Sequence, residues 1–293
     1  MDRDVQLEIP PVWDRIALSP LCGTVLVVGA PDTGKSTFAR HLYRRLCAQH
    51  ERVAFVDGDV GQSTLGPPAT MTLAFGVPGD EAFPPGGPRF RVFVGDISPR
   101  RHMLPMLVGA YRLVQKARQE GATAIVFDTT GLVNPADGGG ALKRSKVDLL
   151  QPTVVVGIQR GSELEHLLLP LRRSHRVRVI DLPVSHGARC RDVRVRREHR
   201  RTRFRAYFER ARTLELAWRG LAVFPAPVFT PHRLVALVDV YGFALALGIV
   251  VASHVARGML TLYTPLPSPA GVDAICLGDL ALDPHTFWES RLP

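Results

Sequence analysis

The first two thirds of the chain alternate short apolar runs with amphipathic stretches. Apolar runs that predict buried strands lie at 24–28, 52–57, 90–94, 122–128, 153–158 and 177–180. Between these runs, Phe38, Leu42 and Leu46 recur at helical spacing, and Met103 to Gln119 fits a second helix. Strands that alternate with helices favour a mostly parallel sheet with helices on both faces. We therefore predict an α/β fold.

The pattern changes after Ala211. From Thr213 to Pro293 the chain is rich in Val, Leu, Pro and Gly, in short alternating runs that are typical of antiparallel strands. We predict two domains, an α/β domain at 1–212 and a small C-terminal β domain at 213–293. The Pro- and Gly-rich stretch Thr64 to Pro88 is predicted to be a long ordered excursion over the active-site edge, with disorder as the alternative.

The most apolar run, Leu234 to Ala252, contains Asp239 and Gly242 and many valines. A transmembrane helix is one interpretation, but a buried β-hairpin fits the composition better. The first residues are charged and contain no apolar core, which does not fit a signal peptide. The four cysteines form no C-x-x-C pair, which argues against a zinc site or a disulfide framework. We predict a cytoplasmic protein that does not act at a membrane.

The strongest motif follows the first predicted strand directly. Gly29-Ala30-Pro31-Asp32-Thr33-Gly34-Lys35-Ser36 fits G-x-x-x-x-G-K-[ST], and Thr37 continues the segment into a helix. In this context the backbone N–H groups surround a polyphosphate at the positive end of the helix dipole. Lys35 would reach the β- and γ-phosphates, and Ser36 would ligate Mg²⁺. Residues 29–37 are therefore predicted to bind a nucleoside triphosphate.

Two of the predicted strands end in acidic residues. Asp57 and Asp59 follow the second strand, and Asp128 ends the strand at 122–128. Beside a phosphate loop, one carboxylate can order Mg²⁺ and its waters, and another can take a proton from an attacking hydroxyl. Asp128 is as good a Walker B candidate as Asp57. The sequence therefore leaves open which carboxylate is nearer the metal.

Two shorter motifs lie further along the chain. Thr129, Thr130 and Gly131 combine hydroxyls with a glycine, which suits a loop that closes over phosphate or substrate. Ser145-Lys146-Val147-Asp148 mimics the guanine-reading S-K-x-D of GTPases. That motif should follow a buried strand, whereas here it precedes one and lies in a predicted helix, so we discount it.

The formal net charge of +10 comes mostly from one segment. Arg189 to Arg212 contains eleven arginines and three acidic residues, which predicts a polyanionic partner such as nucleic acid. From about 195 to 212 the pattern is helical, and Arg196, Arg200, Phe204 and Phe208 are spaced four residues apart on one stripe. The phenylalanines can be buried while the arginines lie over the active site, where guanidinium groups suit a phosphoryl group or a nucleic-acid phosphate.

Several motifs occur in one order from about residue 20 onward. They are the phosphate loop, Asp57-x-Asp59-x-Gly61-Gln62, Gly95-Asp96-x-Ser98-Pro99, Thr129-x-Gly131-Leu132, and the arginine helix ending in Tyr207-Phe208. Together they resemble the polynucleotide 5′-hydroxyl kinase family, which includes the kinase subunit of the pre-mRNA cleavage machinery and the pre-rRNA-processing kinases. The extra N-terminal domain of the eukaryotic relatives is absent from this sequence, so the chain resembles a short, prokaryotic form.

The resemblance implies that the γ-phosphate of ATP is transferred, with Mg²⁺, to the 5′-hydroxyl of RNA, DNA or both. It implies that Asp59 is the base that polarises the hydroxyl and that Asp57 supports Mg²⁺ through water. Arg196 and Arg200 would be lid arginines that stabilise the transferring phosphoryl group. Arg197 and Arg201 offer the same spacing, so the lid register stays open.

By the same resemblance, Gln62 and the segment Thr129, Thr130, Gly131 and Leu132 would contact the substrate end. Leu132 stands where relatives often have an aromatic residue, so it offers apolar contact in place of base stacking. Two other functions stay open: a scaffold that binds or hydrolyses ATP without kinase activity, and a small-molecule kinase. The latter would not need the arginine segment. The sequence identifies no protein partner.

Overall fold

The computed structural model describes residues 9–17, 21–76, 82–185 and 187–292. The chain divides into two compact units, each built from separate stretches of sequence. The first unit comprises Met1–Asp59, Leu73–Arg89 and Met106–Asp192. The second unit comprises Val60–Thr72, Phe90–Pro105 and Val193–Pro293.

Strands and helices follow one another along the chain in the predicted alternation. Strands β1 to β7 are Gly23–Gly29, Val53–Gly58, Thr70–Phe75, Arg89–Phe93, Ala124–Thr129, Val154–Gln159 and Arg178–Pro183. Helices α1 to α6 are Pro11–Asp14, Lys35–Cys47, Met103–Gln119, Gly139–Leu150, Glu165–Ser174 and Val193–Phe208. Strands β8 to β14 are Arg212–Ala217, Ala222–Phe224, Arg233–Val238, Ala244–His254, Met259–Thr264, Ala274–Leu282 and Glu289–Arg291. Single 3₁₀ turns lie at Pro135–Asp137 and Val255–Arg257.

The first sheet has seven strands in the order β4–β3–β2–β5–β1–β6–β7. Strand β1 pairs in parallel with β5 and β6, and the pairs β2–β5 and β6–β7 are also parallel. The predicted stripe of α2 is buried, because Phe38, Leu42 and Leu46 are at most 1% exposed. Trp13 packs edge-on against Phe38 with ring centroids 5.3 Å apart. The predicted α/β fold with a mostly parallel sheet is therefore confirmed.

The prediction of an excursion over Thr64 to Pro88 is wrong for Thr70–Phe75, which forms the fully buried strand β3. This six-residue run begins with alternating threonine and apolar residues, and it lies between Pro68 and Gly76. Because proline and glycine are typical of turns, the flanking residues favoured a loop over a strand. Residues 77–81 of that stretch lie outside the described residues.

The second sheet is antiparallel along the path β14–β13–β10–β11–β12–β8, and β9 pairs in parallel with β13. Strands β10 and β11 are the predicted hairpin within the most apolar run. In the part of the chain that the structure describes, no helix is long and apolar enough to cross a membrane. The predicted second, β-rich region is confirmed as an antiparallel sheet.

Helix α6 groups with the second unit rather than the first. Phe204 and Phe208 are fully buried in a cluster with Leu234 and Leu247, which explains this grouping. The compact units therefore divide at Asp192/Val193, whereas the sequence pattern placed a boundary after residue 212. The division at 212 stays a prediction for the limits of independently folding domains.

Candidate active site

The phosphate loop joins β1 to α2 within the first unit. Gly34 adopts φ +85°, in the left-handed region that favours glycine, immediately before α2 begins at Lys35. A Cβ at Gly29 would lie 2.7 Å from the Ile158 carbonyl oxygen, so the backbone there approaches its neighbour too closely for a side chain. The strand–loop–helix context predicted for residues 29–37 is present.

Lys35 folds back into this loop. Its Nζ donates to the Ala30 carbonyl at 2.6 Å, and Thr33 Oγ1 donates to the same oxygen at 3.0 Å. Burial lowers the pKa of Lys35, and the charges of Asp128, Asp59 and Asp32 oppose that effect. The ammonium group therefore lies within the electrostatic reach of the carboxylates at the strand ends.

Three carboxylates collect at the ends of β2 and β5. Asp57 and Asp128 are register partners on these parallel strands, and each is 1% exposed. The backbone N–H of Asp59 donates to Asp57 Oδ1 at 3.2 Å. Burial, then the charge of Asp57, raises the pKa of Asp128 to about 7, and a hydrogen bond from Ser36 opposes this rise. Such a concentration of negative charge suits a cation.

The donor set of this site fits Mg²⁺. The Ser36 hydroxyl bonds to Asp128, and Asp128 Oδ1 is buried with no hydrogen-bond partner among the described residues. The described ranges contain no group of three or more His, Cys, Asp or Glu side chains arranged for a metal. Mg²⁺ in nucleotide sites typically uses one or two carboxylates, a hydroxyl and phosphate oxygens, which is the set available here.

The loop that follows β5 lies against the phosphate loop. Thr129 Oγ1 donates to the Val27 carbonyl at 2.7 Å, and Lys143 Nζ donates to the Thr130 carbonyl at 2.6 Å. A Cβ at Gly131 would lie 2.8 Å from the backbone nitrogen of Pro31. The substrate loop predicted at Thr129 to Leu132 is therefore in direct contact with the nucleotide loop.

Sequence reasoning missed two buried lysines on α4. Lys143 and Lys146 are at most 1% exposed, one helical turn apart. Lys146 Nζ lies 5.0 Å from the ring centroid of Phe127 and has no hydrogen-bond partner among the described residues. Burial lowers the pKa of Lys146 to about 8, against the opposing charge of Asp59. Burial also lowers the pKa of Lys143 well below its usual value, and Lys146 and Lys35 add to the effect.

A sequence signal for these lysines was present. The motif Ser145-Lys146-Val147-Asp148 lies in α4, ahead of β6, as predicted. Although this position does not suit a guanine-reading motif, the motif contains the buried Lys146. The chain has four lysines against 37 basic residues in all, so two lysines three residues apart are unusual here.

Residues just ahead of α6 also contact the phosphate loop within the first unit. Asp32 Oδ2 accepts from the backbone N–H of Arg191 at 3.2 Å and lies 3.5 Å from Cys190 Sγ. The Arg160 guanidinium donates to the Asp32 carbonyl at 2.8 Å. The start of the arginine segment is thus tied to the loop that would hold the nucleotide.

The remaining predicted site residues belong to the second unit. Gln62 Nε2 donates to the Arg196 carbonyl at 3.3 Å. Arg200 pairs with Glu289, and the guanidinium carbons of Arg197 and Arg201 each lie 4.8 Å from the ring centroid of Trp288. The first unit therefore brings together the phosphate loop, Asp57, Asp59 and the loop 129–132, and the second unit brings together Gln62 and the arginines of α6.

Comparison with protein families matches residues 29–210 to the family described as mRNA cleavage and polyadenylation factor CLP1 P-loop. A polyribonucleotide 5′-hydroxyl-kinase of Methanocaldococcus jannaschii is 30% identical over 211 residues, which are 72% of this chain and 57% of that protein. A polyribonucleotide 5′-hydroxyl-kinase of Thermococcus kodakarensis is 33% identical over 206 residues, 70% of this chain and 57% of that protein. The matched part of the chain thus spans little more than half the length of these relatives.

Solved structures with the same fold include a chain of the wild-type Clp1p–Pcf11p complex. It superposes with a TM-score of 0.67 at 13% identity, over 88% of this chain and 74% of that chain. A chain from a second Pcf11p–Clp1p structure gives a TM-score of 0.69 at 13% identity, over 92% of this chain and 78% of that chain. At this identity the likeness describes the fold alone.

Proposed function

The chain belongs to the family of the mRNA cleavage and polyadenylation factor CLP1 P-loop, and on this premise we propose that it is an ATP-dependent polynucleotide 5′-hydroxyl kinase. The resemblance drawn from the sequence motifs is confirmed at the family level. The observation that carries the proposal is a strand–loop–helix phosphate loop in which the buried Lys35 lies within electrostatic reach of Asp128 and Asp59. Relatives that match over about 70% of the chain are named polyribonucleotide 5′-hydroxyl-kinases, which supports a polynucleotide 5′-hydroxyl as the acceptor.

In this proposal residues 29–37 bind the triphosphate of ATP. Asp59 accepts the proton of the 5′-hydroxyl as its oxygen attacks the γ-phosphorus. The new bond joins the 5′-oxygen to phosphorus, the bond from phosphorus to the β–γ bridging oxygen breaks, and ADP leaves with those electrons. Lys35 stabilises the charge on the β- and γ-phosphates. The rate acceleration comes from positioning the hydroxyl and the phosphate and from neutralising phosphate charge, so no covalent enzyme intermediate is needed.

The metal of the proposal is Mg²⁺, which would neutralise phosphate charge when bound. Ser36, Asp128 and Asp57 are the residues that would hold it. The hydroxyl–carboxylate contact between Ser36 and Asp128 supports a direct role for this pair, and Asp57 would act through water.

Nucleic acid with a 5′-hydroxyl end is the proposed acceptor. Thr129, Thr130, Gly131 and Leu132 would contact its terminal nucleotide, together with Gln62. Arg196 and Arg200 would stabilise the transferring phosphoryl group, since guanidinium groups bind phosphate oxygens in pairs. The arginine segment 189–212 would hold the following phosphates. We also propose a cytoplasmic location, which the scattered cysteines support.

The test uses γ-labelled ATP, Mg²⁺ and matched oligonucleotides that end in a 5′-hydroxyl or a 5′-phosphate. We expect label only on the 5′-hydroxyl strand, with no transfer by Lys35→Ala. Asp59→Asn should bind ATP normally and lose about 10²- to 10⁴-fold in rate, the usual contribution of a general base. RNA and DNA in parallel reactions give the acceptor preference.

Two results would contradict the proposal. ATP hydrolysis without a labelled strand would favour a scaffold that uses ATP for another purpose. Label on a free nucleoside, with no gain from an oligonucleotide, would favour a small-molecule kinase. Unchanged turnover of Asp59→Asn would remove this residue from the role of base.

A further inference from the structure

One side of helix α6 holds the loop that contains Gln62. Gln62 Nε2 donates to the Arg196 carbonyl at 3.3 Å, and His199 Nε2 lies 3.0 Å from the Ser63 carbonyl oxygen. One turn later, Arg203 Nη2 donates to the Gly66 carbonyl at 3.1 Å. Helix α6 is therefore in hydrogen-bond contact with Gln62, Ser63 and Gly66.

Another side of α6 faces the segment 286–289, which leads into strand β14. Arg200 donates to Glu289 Oε1 twice, from Nε at 2.9 Å and from Nη2 at 2.6 Å. The two side chains are 12% and 5% exposed, so this ion pair is largely shielded from water. None of the hydrogen bonds among the described residues uses Arg200 Nη1, and this nitrogen is not among the buried polar atoms left without a partner.

Two further arginines contact the same segment. Arg201 Nε donates to the Thr286 carbonyl at 2.9 Å, and Arg197 Nη2 donates to the Glu289 carbonyl at 3.3 Å. Both guanidinium groups also lie over the ring of Trp288. The turn of α6 from Arg197 to Arg201 is thus tied to three residues of this segment, Thr286, Trp288 and Glu289.

We propose that Glu289 is a positioning residue for Arg200: it holds the Nε and Nη2 edge of the guanidinium and leaves Nη1 to bind a phosphate oxygen of the reacting nucleotide or acceptor. The inference rests on the proposed kinase function. A carboxylate that holds one edge of a guanidinium restricts the rotation of the arginine side chain. The opposite edge can then bind an anion without a further loss of side-chain conformational entropy.

Anchoring of the helix alone does not account for Glu289. Phe204 and Phe208 are fully buried and already fix α6 to its core. A buried carboxylate is costly, and Glu289 Oε2 has no hydrogen-bond partner among the described residues. Apolar side chains of similar volume commonly stabilise a fold as well as a buried ion pair does. What the ion pair adds is a fixed guanidinium orientation.

The experiment compares Glu289→Gln with Glu215→Gln in the labelling assay. Glu215 lies on β8 in the second unit, outside the arginine segment, and is exposed, so it is a matched control for the loss of one charge. We expect Glu289→Gln to lower kcat about 10- to 100-fold with little change in KM for ATP, as for other residues that orient a functional side chain. Glu215→Gln should keep the wild-type kcat.

A double-mutant cycle separates positioning from general stabilisation. If Glu289 acts through Arg200, Glu289→Gln has almost no further effect on kcat in an Arg200→Ala background. An equal loss of kcat in both backgrounds, or an unchanged kcat in the single variant, would overturn the proposal. If Glu289→Gln does not fold, Glu289→Asp keeps the charge, and the same cycle is run with it.

A second readout does not depend on kinase activity. In ¹H–¹⁵N spectra the Arg200 Nε–H, assigned by its loss in Arg200→Lys, should be protected from solvent exchange in wild type and in Glu215→Gln. It should lose this protection in Glu289→Gln. A protected signal in Glu289→Gln would contradict the proposal. A wild-type protein that labels no strand would contradict the kinase function alone, because the spectrum still reports on Arg200.

Discussion

Lysine and arginine are used differently in this molecule. Lys35, Lys143 and Lys146 are three of the four lysines of the chain, and all three are buried in the first unit. Arginine provides most of the exposed charge on α6, where a planar, permanently charged group suits phosphate. Burial lowers the pKa of each of these lysines, so their protonation depends on the surrounding carboxylates.

Lys146 should make the stability of the protein depend on pH in the alkaline range. With a folded pKa of about 8 and an unfolded value of 10.5, the folded protein binds fewer protons between these limits, so stability rises with pH across that window. The cost of burying the charge is present in full below pH 8. We expect Lys146→Met to be more stable than wild type at pH 7, by up to about 3 kcal/mol, and to lose this advantage near pH 10.5.

Urea unfolding at pH 7, 8.5 and 10 measures this difference. Lys116→Met is the control, since Lys116 pairs with Glu120 on the surface of α3 and should leave the pH dependence of wild type in place. A constant difference between wild type and Lys146→Met at all three pH values would contradict the argument.

Helix α6 shows which features of a secondary-structure element can be predicted from residue spacing alone. Its start near residue 195, its arginine stripe and its buried phenylalanines were predicted from a spacing of four residues. The predicted end near residue 212 was wrong, because α6 ends at Phe208 and Arg212 begins β8. The contacts of the arginines were not, because Glu289 and Trp288 lie about ninety residues away in sequence. Likewise β3 was missed between proline and glycine turn signals, and Lys143 was missed because its partner Thr130 lies on another element. Local periodicity predicts elements, whereas long-range pairing has to be seen in the structure.

The anchoring role of α6 can be tested at Phe204. This side chain is fully buried, so Phe204→Ala should lower the free energy of unfolding by about 3–5 kcal/mol. Val195 lies on the same helix and is 52% exposed, so Val195→Ala should change stability by less than about 0.5 kcal/mol. Thermal or urea unfolding gives both values. Equal effects of the two substitutions would mean that α6 is not held through its phenylalanines.

Charge distribution matters at the scale of the whole molecule. The net charge of +10 arises mainly from one segment, so binding to a single strand should release counterions and weaken as salt increases. We expect a linear plot of log K against log salt, and each arginine that contacts a phosphate contributes a slope of about −0.7. Arg194 and Arg205 are exposed on one face of α6, and Arg194→Ala should reduce the slope by about that amount.

The control for this measurement is Arg144→Ala, whose side chain is 83% exposed on α4 in the first unit. It removes the same charge outside the arginine segment, so the slope should stay at the wild-type value. Equal slopes for wild type and Arg194→Ala would exclude Arg194 from the binding surface, and a slope near zero for wild type would remove the polyanion argument altogether.

Trp288 provides an intrinsic fluorescence signal next to helix α6. The chain has three tryptophans, and at Trp288 two guanidinium groups lie over the indole ring, each 4.8 Å from its centroid. Indole emission responds to nearby charge, and subtracting the spectrum of Trp288→Phe from that of wild type isolates this one fluorophore. If an oligonucleotide displaces Arg197 or Arg201 from the ring, we expect the wavelength or the intensity of that emission to change. Trp288 would therefore report the positions of Arg197 and Arg201 in solution without an added dye.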